Sequence, residues 1–214
     1  MAKTLTDKLE AARLLIYNSK DKVIAPLLDT MGIDNDYLKT GETLYTETME
    51  LMNTQKKEYQ EQSQAYDKFY VEKDEAEASY KRTLKLVRAL SRNNDDLQNR
   101  LGLQSAKAYA IATWIEGSLD FYNRLLNEAE FLARLKKFKV TEEKLKAEQK
   151  AIENLKDLRN NATAEKGQAQ EATRVRNAKL DELDDYCMEL RAVDELALAD
   201  KPQLLEKLGI VVKS

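Results

Sequence analysis

Two groups of acidic residues are the first candidates for chemistry in this sequence. They stand at matching places in its two halves and comprise Glu72, Asp74, Glu75 and Glu77, and Asp181, Glu182, Asp184 and Asp185. Paired carboxylates could bind a divalent cation or act as acid and base in an enzyme. On a helix, however, adjacent acidic residues point in different directions, and interleaved lysines such as Lys73 and Lys179 can pair with them. We expect a solvated, ion-paired surface, and an enzyme that uses carboxylates and a cation is the least favoured function.

A run of aromatic residues is the second candidate. It consists of Tyr59, Tyr66, Phe69, Tyr70 and Tyr80. Tyrosine is common where a surface becomes buried against a partner, because its ring is apolar and its hydroxyl is polar. The same side chains could instead fill the seam between helices, opposite small residues such as Ala162 and Ala169. The sequence leaves both interpretations open: a partner-binding stripe or ordinary helix packing.

The segment around the only tryptophan could bind a small apolar ligand. Trp114 lies in the most apolar stretch of the chain, together with Tyr109 and Phe121. Gly117 and Ser118 between them could admit a closely packed helix or a ligand. A helical bundle that binds a small apolar ligand around the three aromatic residues is therefore the alternative function.

Several common catalytic and cofactor-binding groups are missing from the sequence. It contains no histidine, and Cys187 is its single cysteine, so Ser-His or Cys-His pairs and thiolate or imidazole zinc sites cannot form within one chain. The six glycines are scattered singly and form no phosphate-binding loop. We expect no cofactor, no metal and no enzymatic activity. The leading hypothesis is an interaction or scaffold protein that binds a protein partner or forms a homo-oligomer.

The elements that position these residues come in two similar copies. Ile16-Tyr17-Asn18 matches Phe121-Tyr122-Asn123, and the segment 97–103 matches the segment 204–210, at offsets of about 105 to 107 residues. We assign residues 1–104 to the first helical repeat and residues 105–214 to the second. We expect the two repeats to pack as one continuous bundle.

Composition and periodicity predict an all-α fold. Six glycines and two prolines in 214 residues leave little room for the turns that strands need. Apolar residues recur every seven positions in rows that start at Leu38 and Leu145. This heptad spacing predicts an elongated antiparallel helical bundle or coiled coil with an internal two-fold sequence repeat.

The sequence leaves open whether each copy contains one long helix. The segments 36–92 and 140–197 are either single helices or chains that fold back near 53–60 and 160–167. The unbroken heptad phase favours single helices. Folding back is favoured because a short first helix would leave apolar residues of a long helix uncovered. The balance slightly favours folding back, which gives three helices per copy.

The shorter helices have recognisable boundary residues. Thr4 is expected to cap the first helix, and Pro26 is expected to split it or kink it between residues 18 and 22. A helix is then predicted from about Ser105 to about Phe138. Each copy is expected to end in a short helix that a glycine closes.

Charge and hydropathy suggest where the protein resides. The net charge is -3, so the chain has no basic field that would attract nucleic acid. No stretch is as apolar as a membrane span, the first residues do not resemble a signal peptide, and a single cysteine fits a reducing compartment. We expect a cytoplasmic protein that binds neither nucleic acid nor membranes.

Three short segments carry a resemblance to other proteins. They are Pro-Gln-Leu-Leu-Glu-Lys-Leu-Gly-Ile at 202–210, Phe-Tyr-Asn at 121–123 and Glu-Lys-Gly-Gln-Ala-Gln at 165–170. With these segments the chain resembles a small uncharacterised family of tandem-duplicated, all-helical bacterial proteins. The similarity covers the second copy best. It implies no function, because no activity is known for that family.

Overall fold

The computed structural model describes residues 4–104 and 110–211, and every regular element in these ranges is an α-helix. In chain order the elements are α1 (Leu5–Asn18), α2 (Ala25–Asp29), α3 (Asn35–Ser91), α4 (Asp95–Arg100), α5 (Ile111–Leu126), α6 (Ala129–Lys136), α7 (Glu142–Ala197) and α8 (Pro202–Lys207). The predicted all-α class is therefore confirmed for the described residues. None of the helices in these ranges is long and apolar enough to span a membrane.

The helices α3 and α7 are each continuous, so the expectation that the chain folds back near 53–60 and 160–167 is wrong. α3 has 57 residues and α7 has 56, and both expected turn regions lie inside them. In α7, Leu155 and Ala162 stand seven residues apart and are both fully buried, so one face stays inward through the polar midpoint. Gly167 in a helix interior costs only about 1 kcal/mol. Unbroken backbone hydrogen bonding and the buried row outweigh that cost.

The boundaries of the short helices follow the sequence signals in one copy and depart from them in the other. The Thr4 hydroxyl accepts a hydrogen bond from the Asp7 amide at 3.2 Å, and α1 ends at Asn18, well before Pro26 in the first turn of α2. The single helix predicted from Ser105 to Phe138 is wrong. The described part of that segment forms two helices, because the chain turns after Leu126 and buries the apolar residues of α5 and α6 separately.

The chain divides into two compact units, and we describe each unit by itself. Unit 1 comprises Met1–Tyr59 and Gln168–Ser214, and unit 2 comprises Gln60–Gly167. Each unit therefore contains one part of α3 and one part of α7. The boundary after residue 104 rests on sequence similarity between the copies, so it stays a prediction about the repeat.

Unit 1 packs α1, α2 and α8 against antiparallel parts of α3 and α7. Gln55 donates a hydrogen bond to the Thr173 hydroxyl at 3.1 Å, and the Tyr186 hydroxyl donates one to the Tyr37 carbonyl at 3.0 Å. Residue numbers fall along α3 between these contacts while they rise along α7, which shows the opposite directions. At Gly41 the helices approach so closely that a Cβ atom would lie 2.6 Å from the hydroxyl oxygen of Tyr186.

Unit 2 packs α4, α5 and α6 against the other parts of α3 and α7. Its core is built around Tyr122, which is fully buried. The Tyr122 hydroxyl donates a hydrogen bond of 2.9 Å to Glu148, and the Thr83 hydroxyl donates one of 2.8 Å to the same carboxylate oxygen. Burial and the adjacent carboxylate both raise the pKa of Tyr122, which keeps its hydroxyl protonated as a donor.

Candidate ligand-binding site

The five residues of the aromatic run lie in different environments. In unit 2, Phe69 is buried in the core, and Tyr80 is partly buried against α5. Tyr70 is 49% exposed, and its ring centroid lies 6.3 Å from that of the less exposed Tyr66. Tyr59 belongs to unit 1 and is 48% exposed. Phe69 and Tyr80 thus serve helix packing, whereas a role of the run in partner binding stays a prediction.

Unit 2 contains a cavity of about 470 Å³ between α3, α5 and the turn that follows α4; we call it the unit 2 cavity. Tyr80, Trp114 and Phe121 form its aromatic walls. The ring of Tyr80 meets the rings of Trp114 and Phe121 edge to face, with centroid distances of 6.1 and 5.4 Å. The structure therefore brings together two of the three aromatic residues predicted to surround a ligand. The third, Tyr109, lies outside the described residues.

Helical spacing on α5 explains why the cavity exists. Trp114 and Phe121 are seven residues apart, so they lie two turns apart on one face of the helix. Gly117 lies between them and has no side chain to fill the space. A Cβ atom built on Gly117 would meet no other atom within 4 Å. A larger residue at position 117 would therefore meet no obstacle at its Cβ atom, and its side chain would start from the lining of the unit 2 cavity.

A phenol adds polar character to the apolar walls. Ser118 also borders the cavity, but its oxygen is closed off from it and lies near the Tyr80 phenol. Burial raises the pKa of the nearby Tyr80, while Ser118 and then Arg88 act in the opposite direction. The Tyr80 phenol is therefore a neutral hydrogen-bond donor beside Ser118 and Arg88.

Most charges around the unit 2 cavity are already paired. Glu77 binds Lys73 at 2.7 Å and Lys81 at 2.5 Å, and Asp120 binds Arg124 at 2.8 Å. Lys73 also lies 6.0 Å from the centroid of the Trp114 ring, which is within the range of a cation–π contact.

Arg88 is different from these paired groups. Its guanidinium donates one long hydrogen bond of 3.4 Å to the carbonyl of Leu103. Within residues 4–104 and 110–211, no carboxylate forms an ion pair with it. The rim of the unit 2 cavity therefore presents an exposed cation that pairs with no carboxylate in the described part of the chain.

Unit 1 contains a smaller cavity of about 300 Å³, the unit 1 cavity, between α1, α7 and the turn that follows α8. Seven of its lining positions lie 107 residues after a lining position of the unit 2 cavity. They are 184, 187, 188 and 191 on α7 and 208–210 after α8, and their counterparts lie on α3 or after α4. Cys187 replaces Tyr80 in this correspondence. Burial raises the pKa of the Cys187 thiol to about 12, so the thiol is neutral and a poor nucleophile.

The two acidic groups singled out in the sequence lie on helix surfaces beside cations. Glu77 is held by two lysines, as described above, and Asp184 pairs with Lys8 at 2.6 Å. Lys179 pairs with Glu182 at 2.7 Å. These contacts match the expectation of an ion-paired surface for the residues that make them.

Two charged residues with unusual surroundings were not predicted from the sequence. Arg88 was not singled out because one arginine on a charged helix gives no signal until its neighbours are known. Asp194 did carry a signal, since it continues the apolar row that starts at Leu145. Asp194 is completely buried, neither of its carboxylate oxygens has a hydrogen-bond partner among the described residues, and burial raises the pKa of this carboxyl group to about 7.

Comparisons with known proteins give no relative for this chain: no family model, curated protein or solved structure matches it. The resemblance of the second copy to a bacterial helical family therefore stays a prediction. Any functional conclusion rests on the geometry of the two units.

Proposed function

We propose that this protein is a non-enzymatic binding protein for a small, largely apolar organic molecule, and that the unit 2 cavity is its principal site. The observation that carries the proposal is a cavity of about 470 Å³ whose walls are formed by the rings of Tyr80, Trp114 and Phe121. Ligand cavities in proteins commonly measure about 300–1,000 Å³ and combine apolar walls with a few polar groups. This reverses the order suggested by the sequence, which ranks protein interaction first.

Two energetic terms favour a ligand in this place. Transfer of an apolar group from water to the walls formed by Trp114, Phe121 and Leu84 gains about 25 cal/mol for each Å² buried. A polar atom of the ligand can also accept a hydrogen bond from the Tyr80 phenol or from Arg88, which both line the cavity. The site selects mainly for shape and apolar character.

We further propose that the two cavities are copies of one ancestral site, and that the tandem repeat of 1–104 and 105–214 produced them. The constant offset of 107 residues between their lining positions supports this proposal. The left-handed glycines that close α4 and α8 add support, because Gly102 and Gly209 show the same offset and similar φ angles of 66° and 76°.

The test uses Trp114, which is the only tryptophan and therefore reports on the unit 2 cavity alone. We expect 4-phenylbutanol, a neutral apolar probe, to change the fluorescence of Trp114 in a saturable way. Gly117→Leu should weaken binding at least about tenfold, because the leucine side chain occupies the cavity. Isothermal calorimetry provides the second measurement of affinity.

Gly167→Leu is the matched control. Gly167 is exposed in α7, and a Cβ atom there also meets no other atom within 4 Å. This variant should bind the probe like the wild type. No saturable response in the wild type, or equal affinity in Gly117→Leu, would contradict the proposed function.

A second candidate function is self-association through the exposed part of the aromatic run. Tyr70 and Val71 are adjacent on α3 in unit 2 and are 49% and 59% exposed. If this surface binds a second copy of the chain, Val71→Ser should lower the sedimentation coefficient at high concentration. Val23→Ser is the matched control, because Val23 is also 59% exposed. A wild type that sediments as a monomer at every concentration would contradict this candidate.

A further inference from the structure

We infer that the unit 2 cavity binds an amphipathic carboxylate, whose apolar part packs against Trp114 and Phe121 and whose carboxylate group is bound by Arg88. This inference rests on the proposed function and specifies its ligand class. It concerns only the unit 2 cavity, since the electrostatics of the unit 1 cavity are different.

The acidic residues that line the unit 2 cavity are already paired with cations. Glu77 is shared by two lysines, and Asp120 is paired with Arg124. Arg88 lines the same cavity, and no carboxylate in the described ranges pairs with it. Arginine binds carboxylates through two parallel N–H donors, so its planar group suits this ligand better than it suits a neutral one.

The Tyr80 phenol lies on the same side of the cavity as Arg88. Both residues line the cavity, and Arg88 is close enough to Tyr80 to influence its pKa. A protonated phenol can donate a hydrogen bond to a carboxylate that Arg88 holds. The polar side of the cavity thus offers donors, whereas its two carboxylates are already paired with cations.

The unit 1 cavity supplies the contrast. Position 195 follows Arg88 by 107 residues and is occupied by an acidic residue, Glu195, which pairs with Arg191 at 2.9 Å. Lys8 and Asp184, which both line the unit 1 cavity, also pair with each other at 2.6 Å. Both cationic side chains of this lining are therefore matched by carboxylates. An anionic ligand would gain nothing comparable in unit 1.

The experiment compares two probes of similar shape, 4-phenylbutyrate and 4-phenylbutanol, with the full chain at pH 7.5. Dissociation constants come from Trp114 fluorescence. We expect the wild type to bind the carboxylate about five- to tenfold more tightly than the alcohol, because a charge-assisted hydrogen bond from Arg88 adds to the binding free energy. Arg88→Gln should remove this preference by weakening the carboxylate only. Arg82→Gln, which removes an exposed arginine of α3 outside the cavity lining, should leave both affinities unchanged.

The alcohol distinguishes failure of this inference from failure of the proposed function. If the wild type binds both probes equally, or if the preference survives in Arg88→Gln, the inference is overturned and the proposed function stands. If Arg88→Gln weakens both probes equally, Arg88 is only structural and the inference is again overturned. If neither probe binds, the proposed function fails and the inference fails with it.

Discussion

Units 1 and 2 each hold a carboxylate beside the core under opposite conditions, half-buried in unit 2 and fully buried in unit 1. In unit 2, Glu148 accepts two hydrogen bonds, from Thr83 and Tyr122. In unit 1, Asp194 is fully buried, and within residues 4–104 and 110–211 neither of its oxygens has a hydrogen-bond partner. The residue 107 positions before Asp194 is Val87, an apolar residue that is also fully buried. The core therefore accommodates a valine at this position in unit 2. A carboxylate at the same position lowers the stability of unit 1 unless it is protonated.

The largest expected effect comes from Asp194→Val, which gives unit 1 the residue found in unit 2. The pKa of Asp194 is raised from 3.8 to about 7, so the folded state retains a proton that the unfolded chain releases. The contribution of Asp194 to stability is therefore most favourable below pH 4, falls as the pH rises to 7, and is constant above it. At about 1.4 kcal/mol per pKa unit, the loss reaches at most about 4 kcal/mol. Asp194→Val should remove this loss and stabilise the protein at pH 8 but much less at pH 4.

Urea unfolding followed by circular dichroism at pH 4, 6 and 8 measures this effect. Asp185→Val removes an exposed acidic residue from the same helix and should leave the pH dependence unchanged. The converse change, Val87→Asp, buries a carboxylate in unit 2 and should destabilise that unit by several kcal/mol at pH 8. Equal stabilisation by Asp194→Val at pH 4 and pH 8 would show that Asp194 does not titrate as inferred.

The next effect tests how closely the two long helices approach in unit 1. Gly41 lies against the Tyr186 ring, whereas the residue 107 positions later, in unit 2, is Glu148. Gly41→Ala should destabilise the protein by about 2–3 kcal/mol, because a Cβ atom would lie 2.6 Å from ring atom Cζ of Tyr186. Thermal unfolding provides the measurement. Gly117→Ala, with open space around its Cβ atom, should instead be neutral or slightly stabilising; similar losses in both variants would refute the steric explanation.

The sequence predicted the long helices more successfully than it predicted their packing. The expected bounds 36–92 and 140–197 agree within two residues with α3 and α7, because the heptad rows persist throughout. Folding back was wrongly favoured because the short first helix is too small to cover a long one. In the structure, parts of α3 and α7 also cover each other within each unit.

The candidate site was only partly predictable for a related reason. Trp114 and Phe121 lie on one helix, so their common face follows from their spacing. Tyr80 and Arg88 reach the same cavity from α3. Which part of a long regular helix faces α5 depends on tertiary packing, and periodicity alone does not specify it. Local signals therefore found one wall of the cavity, and only the structure supplied the opposite wall.

A smaller effect concerns the satisfied carboxylate of unit 2. Tyr122→Phe removes one of the two hydrogen bonds to Glu148 and should destabilise the protein by about 1–1.5 kcal/mol. Thr83→Val removes the other bond and should cost a similar amount. The double variant should lose less than the sum if both donors act through the same carboxylate oxygen. Urea unfolding of the four proteins measures the coupling, and strict additivity would contradict a shared acceptor.

The smallest effect compares the turns that lead into the two long helices. Before α3 the turn contains Gly32 with a φ of 88°, and before α7 it contains Lys139 with a φ of 59°. The left-handed conformation costs a residue with a Cβ atom about 1 kcal/mol, whereas glycine adopts it freely. Lys139→Gly should therefore stabilise the protein by about 0.5–1 kcal/mol, despite the greater freedom of glycine in the unfolded chain.

Gly32→Lys is the matched reverse change. A Cβ atom at position 32 would meet no other atom within 4 Å, so only the backbone angle opposes it. This variant should lose about 1 kcal/mol, and thermal unfolding should give shifts of opposite sign for the two changes. Each turn has the same backbone hydrogen bond, from the Ile33 amide to the Leu28 carbonyl and from the Val140 amide to the Leu135 carbonyl. The two shifts in stability therefore report on the residue in the left-handed conformation. Shifts of the same sign would mean that the two turns are not equivalent, which would weaken the proposed correspondence between the units.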